Sequence, residues 1–131
     1  MSGEINLHEL LKAMEPKLHE GEYVVCTVAA LQSVDLQKII FVFKEEEGIT
    51  IIIEKKLADK LQLSYSFVAA WITLTVHSSL EAVGFTAAFT TALAKEGVSC
   101  NVVAAFYHDH IFINKNDTVK AMNILTRLSE R

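Results

Sequence analysis

Residues Trp71–Asn114 read WITLTVHSSLEAVGFTAAFTTALAKEGVSCNVVAAFYHDHIFIN, and this stretch decides the fold. Ile72, Leu74 and Val76 alternate with Thr73, Thr75 and His77, the period of a strand with one covered face. Phe85, Phe89, Ala92 and Leu93 then recur at helical spacing, which predicts a helix from Glu81 to Glu96. Gly97 stands where a left-handed residue would end that helix. Val98–Tyr107 and His110–Ile113 read as two strands joined tightly around His108 and Asp109. The unusual polar residues gather at the junctions, where a βα unit presents backbone N–H groups and side chains to a ligand.

Working outward, Asp117 is placed to cap a last helix whose inner face carries Ala121, Met122, Leu125 and Leu128. The second half therefore reads β-α-β-β-α. It lacks a fourth strand of its own, so a strand of the first half or of another subunit is expected to cover its sheet edge. Upstream, Asn6 and Glu9 have the spacing of a capping box, and Leu7, Leu10, Leu11 and Met14 form one apolar stripe that Pro16 brings to an end. Three β-rich runs follow at Tyr23–Val28, Ile39–Lys44 and Ile49–Ile53. The last two flank Glu45, Glu46, Glu47 and Gly48, which read as a hairpin turn. Leu57, Ala58 and Leu61 mark a short helix, and Gln62–Ser66 is the expected linker. The expected division is 1–66 and 67–131, with a β-β-α block in each half.

The bulk properties exclude several classes. A chain of 131 residues that is 51% hydrophobic, with one Pro and five Gly, suits a packed globule rather than a disordered chain. A net charge of −4, with twelve Lys and Arg scattered among sixteen acids, offers no basic stripe for nucleic acid. The opening MSGEINLHELL has no basic region followed by an apolar core, and Phe67–Val76 is too short to span a bilayer. No membrane association and a cytoplasmic location are expected. Cys26 and Cys100 lie in apolar strand patterns without CxxC spacing, as buried reduced thiols do.

Leu74–Ile113, LTVHSSLEAVGFTAAFTTALAKEGVSCNVVAAFYHDHIFI, resembles the second half of a family of small bacterial proteins built from two ACT-like domains, and Phe43–Ile53, FKEEEGITIII, resembles its first half. At a greater distance the tandem arrangement is similar to CASTOR-type arginine sensors. The resemblance implies an α+β, ferredoxin-like (βαββαβ) fold, with two ACT-like halves in tandem packed as one compact unit. It also implies a non-enzymatic regulator that binds a small molecule, an amino acid, and acts as a homodimer. The ligand position it implies is the turn His77, Ser78, Ser79, Leu80, Glu81, Val83, Gly84, together with the strand start Cys100, Asn101, Val102.

The same residues have ordinary roles. Ser78, Ser79 and Glu81 suit helix capping, though the same N-terminus can also hold a carboxylate. Gly84 can allow close approach or simply helix-to-sheet packing. Asn101 in a strand can bind a ligand or pair with loop backbone. His108, Asp109 and His110 form a secondary candidate group, with Asp109 expected in the turn. A zinc site would need His77 to converge with His108 and His110, so no metal is assigned. Glu46 and Glu47 could meet a cationic ligand group, although such runs are usually solvated surface. Adjacent His77 and Ser78 are not a catalytic pair, and neither a GxSxG elbow nor a GxGxxG or Walker pattern is present. No catalytic residue and no cofactor are assigned. The alternatives are a protein-interaction module without a ligand and a His-based metal-dependent enzyme.

Overall fold

The computed structural model describes residues 6–76, 79 and 81–130. Among them are helices α1 (Leu7–Ala13), α2 (Lys55–Lys60), α3 (Phe85–Lys95) and α4 (Thr118–Ser129). The strands are β1 (Pro16–Leu18), β2 (Tyr23–Val28), β3 (Phe41–Lys44), β4 (Ile49–Glu54), β5 (Val68–Leu74), β6 (Cys100–Ala104) and β7 (Asp109–Asn114). They gather into two compact units, one spanning Gly21–Ala69, the other holding the described residues through Glu20 and from Ala70 on. The segment before Gly21, which the sequence pattern sets in the first half, thus packs in the second unit.

In the Gly21–Ala69 unit the antiparallel order is β3-β4-β2, and the start of β5 lies beyond β2 through Tyr23↔Ala69 and Val24↔Val68. Val24, Cys26 and Val28 alternate inward and meet Ile51, Ile53 and Ala58 in a small core. Glu45 N–H donates to Gly48 O at 3.0 Å and closes the expected hairpin. Where the other unit has the full helix α3 after β5, this one has two 3-10 turns after β2, Leu31–Ser33 and Leu36–Lys38. Asp35 caps the second turn by accepting from Gln37 N–H at 3.0 Å.

In the other unit the order is β1-β5-β7-β6, which is the βαββαβ sheet with its fourth strand supplied from the N-terminal side. The open edge foreseen in the sequence is covered by β1, paired as Pro16↔Leu74 and Leu18↔Ile72. Asn6 accepts from Glu9 N–H at 3.1 Å and starts α1, whose Leu10, with Met14 just beyond, is sealed among Ile72, Leu74, Phe89, Leu93, Ile111, Ile113 and Leu125. Burial of that apolar surface is the dominant stabilising term, about 1.5–3 kcal/mol for each large side chain removed from water.

Three boundaries differ from those expected. The helix predicted from Glu81 begins at Phe85, because Gly84 adopts φ +92° and an earlier turn is closed on Ser79. Asp109 is the first residue of β7, paired with Ala104 and buried, while Ala105 N–H to His108 O makes the turn. Asp117 occupies the N-cap position of α4 without a side-chain bond; Asn114 and Thr118 instead satisfy the preceding 3-10 turn.

Candidate functional site

His77, Ser78 and Leu80 lie outside the described residues. Of the rest of that turn, Ser79 Oγ accepts from Glu81 N–H at 3.1 Å, and Ser79 O accepts from Ala82 N–H at 3.0 Å. Ser79 therefore caps a local turn rather than α3, and Glu81 precedes the helix instead of opening it. Val83 is largely exposed. Gly84 then redirects the chain in the left-handed region, where a Cβ would be strained and would also meet Leu7 Cδ2 at 3.3 Å. The first helical bond is Ala88 N–H to Gly84 O, so the N–H groups of Phe85, Thr86 and Ala87 begin the helix, and among the described residues no side chain caps them. Such a terminus has donors and a positive dipole end to offer an anionic group.

The strand half of the expected site is split by alternation. Cys100 and Val102 pack against the helix-side core, and burial pushes the Cys100 thiol up to about 11, leaving it protonated. Asn101 points to the opposite face and donates through Nδ2 to Phe112 O at 3.1 Å, across the strand pair. Its amide is thus satisfied by backbone, the ordinary one of the two roles open to it. The three side chains do not converge, as period two dictates. Glu46 and Glu47 are exposed on the β3–β4 turn, and the Thr50 hydroxyl donates to the neighbouring Glu45 carboxylate.

The Gly21–Ala69 unit repeats the strand-then-loop position. Its loop after β2 borders a hollow of about 520 Å³ lined by Ala30, Leu31, Gln32, Val34, Leu36 and Ile49. A second hollow, of about 460 Å³, lies between Val25, Thr27 and Thr50 and the Ser64–Ser66 loop. The first is apolar apart from Gln32 and peptide groups, and the second is rich in hydroxyls.

A polar cluster that joins His110, one of the secondary candidates, to His19, Trp71 and Thr73 sits on the sheet face turned away from α3 and α4. The His19 ring stacks on Trp71, centroids 3.6 Å apart and planes 11° from parallel. His19 Nε2 lies 2.7 Å from Thr73 Oγ1, which lies 2.9 Å from His110 Nδ1. Trp71 Nε1–H donates to the same Nδ1 at 3.1 Å. Burial holds both imidazoles below the usual histidine value, with Lys17 adding to the effect at His19, and His108 and His19 at His110. The alternation of Trp71 and Thr73 against Ile72 and Leu74 carries the signal for half of this cluster. His19 carried none, because its position depends on the pairing of β1.

His108 Nδ1 lies 3.4 Å from Val76 O, and its ring centre is 6.4 Å from that of His110. Burial raises the Asp109 carboxyl, opposed by the neighbouring His108. Among the described residues no group of three or more His, Cys, Asp or Glu side chains is placed to hold a metal ion. Among those residues, too, no helix is long and apolar enough to cross a membrane.

Comparison with known proteins gives a consistent picture of the fold. Residues 2–70 match one ACT-domain family model and residues 66–127 another. A Vibrio cholerae protein of unknown function, described as a possible transport protein, is 45% identical over 94% of this chain and 95% of its own, with a TM-score of 0.84. An Agrobacterium tumefaciens protein is 14% identical over 88% and 89%, with a TM-score of 0.70. The ligand-free regulatory subunit of aspartate kinase from Thermus thermophilus is 8% identical over 90% and 97%, with a TM-score of 0.67. No curated protein sequence gives a match.

Proposed function

Because the chain belongs to the ACT-domain family, carrying two such domains in tandem, we propose that it is a non-enzymatic regulator whose ligand is an amino acid. The observation that carries this reading is the start of α3 behind Gly84, left without a cap by the described side chains, at the loop that follows β5. A ligand carboxylate there would take the N–H groups of Phe85, Thr86 and Ala87, and His77, Ser78, Ser79, Leu80, Glu81 and Val83 are the further candidate contacts. The equivalent loop of the Gly21–Ala69 unit supports the reading, since it borders an apolar hollow suited to a side chain. Asn101 drops out of the ligand set in this reading, because its side chain is on the far face and already bonded.

Regulation requires the ligand to bind two states unequally. A homodimer in the cytoplasm is the setting we propose for it. β3 and β6 are edge strands of their units, and β3 exposes Val42 and Phe43. The test is a thermal-shift screen of the full chain against the standard amino acids. A ligand at 100 times its Kd adds about 2.7 kcal/mol of stability, so at least one amino acid is expected to raise the melting temperature by several degrees. If none does at millimolar concentration, the reading fails and an interaction module without a ligand takes its place.

A further inference from the structure

We propose that His110 is a proton sensor in a clasp that holds the N-terminal strand β1 against β5, and that acidification opens the clasp. The indole of Trp71 has a fixed polarity in this cluster. An indole N–H only donates, so Trp71 Nε1–H at 3.1 Å makes His110 Nδ1 an acceptor without a proton. His110 is then neutral with its proton on Nε2. Thr73 must direct its hydroxyl hydrogen at the same Nδ1, 2.9 Å away, and its oxygen is left to accept from His19 Nε2–H at 2.7 Å. The bond directions along the whole cluster follow from the first one.

The two histidines are unequal under this arrangement. Charging His19 adds a proton at Nδ1, keeps the Nε2–H bond to Thr73, and places a cation over the Trp71 ring, a favourable contact. Charging His110 puts a proton at Nδ1 itself. Trp71 N–H then faces another N–H, and the hydroxyl hydrogen of buried Thr73 loses its acceptor. The sensing group is His110.

The surroundings reinforce the neutral state. From β1 comes Lys17, directly after it His19, and from the β6–β7 turn His108, all of them cationic or able to become so. β5 contributes Trp71 and Thr73, and β6 sets Val103 opposite His110. Asp109 alternates to the other face of β7.

The link to β1 is short. That strand pairs through only three residues, Pro16, Lys17 and Leu18, and its continuation is held by His19 N–H to Trp71 O at 3.0 Å, the ring stack and the Thr73 bond. Loss of the Thr73 and Trp71 bonds to His110 frees the two side chains on which the His19 ring rests.

Trp71 is the single tryptophan of the chain, so its fluorescence reports on the clasp without labels. Titration of the full chain from about pH 8 to about pH 4 is expected to show a transition whose midpoint lies below the ordinary imidazole value of 6.5. Amide exchange at His19 is expected to accelerate with the same midpoint. His110→Gln, which keeps an acceptor but cannot take a proton, is expected to abolish the transition. His19→Gln is expected to keep it and move the midpoint upward, because a like charge is removed. A transition that survives His110→Gln, or that coincides with loss of the far-ultraviolet circular dichroism signal, overturns the proposal. Nitrogen chemical shifts of His110 in the unmodified protein give an independent reading near pH 8. The Nε2–H tautomer supports the clasp and the Nδ1–H tautomer contradicts it.

Discussion

The two units share a strand plan and differ in how it is closed. In the Gly21–Ala69 unit the fourth strand is the next stretch of chain, the start of β5, and the layer over the sheet is thin: two 3-10 turns and the six-residue α2. In the other unit the fourth strand arrives from the N-terminal side, and three helices cover the sheet. The first core centres on Val24, Ile51 and Ile53 and the second on Phe89, Leu93, Ile111 and Leu125. The same sheet order thus tolerates very different amounts of buried apolar surface. The thinner unit is expected to open first, since local stability follows local burial.

The largest way to break this comparison is Phe89→Ala. That ring is fully buried and packs edge-on against Phe85, so its removal is expected to cost about 3–5 kcal/mol in urea unfolding. Leu10→Ala, also fully buried, should cost about 2–5 kcal/mol. Native-state amide exchange should place that loss in β1, β5, β7 and α4 rather than in β2–β4. Should the loss appear in β2–β4 instead, α1 would not belong to the second unit.

Gly84→Ala sharpens the contrast at the loop. A Cβ at φ +92° is expected to cost about 1–3 kcal/mol, and more than Gly97→Ala, where nothing lies within 4 Å of the added carbon. Asn6→Ala removes the α1 cap and should cost about 1 kcal/mol. The smallest expected mutational effect is at the exposed Arg127–Glu96 pair, where Arg127→Ala should change stability by no more than about 1 kcal/mol.

The pH dependence separates the units as well. His19 and His110 have folded values below the unfolded one, so the unfolded chain binds more protons as pH falls through and below about 6.5, and stability is lost there. Asp109, raised by burial, contributes the opposite sign: its burial costs least where it is protonated and most above its raised value. Urea midpoints followed between about pH 7 and pH 5 should fall in the unmodified protein and fall less in His110→Gln. Exchange in β2–β4, which holds neither histidine, should show the weaker dependence.

Much of this was legible in the residues, for reasons that are local. Tyr23–Val28 is a strand because three of its residues, Val24, Cys26 and Val28, alternate inward, and the Glu45–Gly48 turn follows from a glycine between two β-branched runs. Gly97, at φ +79°, ends the long helix as its position implied. What escaped was long-range or finely balanced. The pairing of β1 with β5 joins residues far apart in the chain, and no local pattern encodes it. The helix start moved to Phe85 because Gly84 takes positive φ and a Ser79 turn competes with capping. Asn101 was legible as an unusual strand residue, yet only the β6–β7 register reveals that Phe112 O satisfies it.

The most direct measurement of ligand binding at the α3 loop is a set of ¹H–¹⁵N spectra of the full chain titrated with each standard amino acid. The expected result is saturable shifts centred on the amides of Gly84, Phe85, Thr86 and Ala87. Spectra unchanged by every amino acid, or shifts confined to residues distant from that loop, would contradict it.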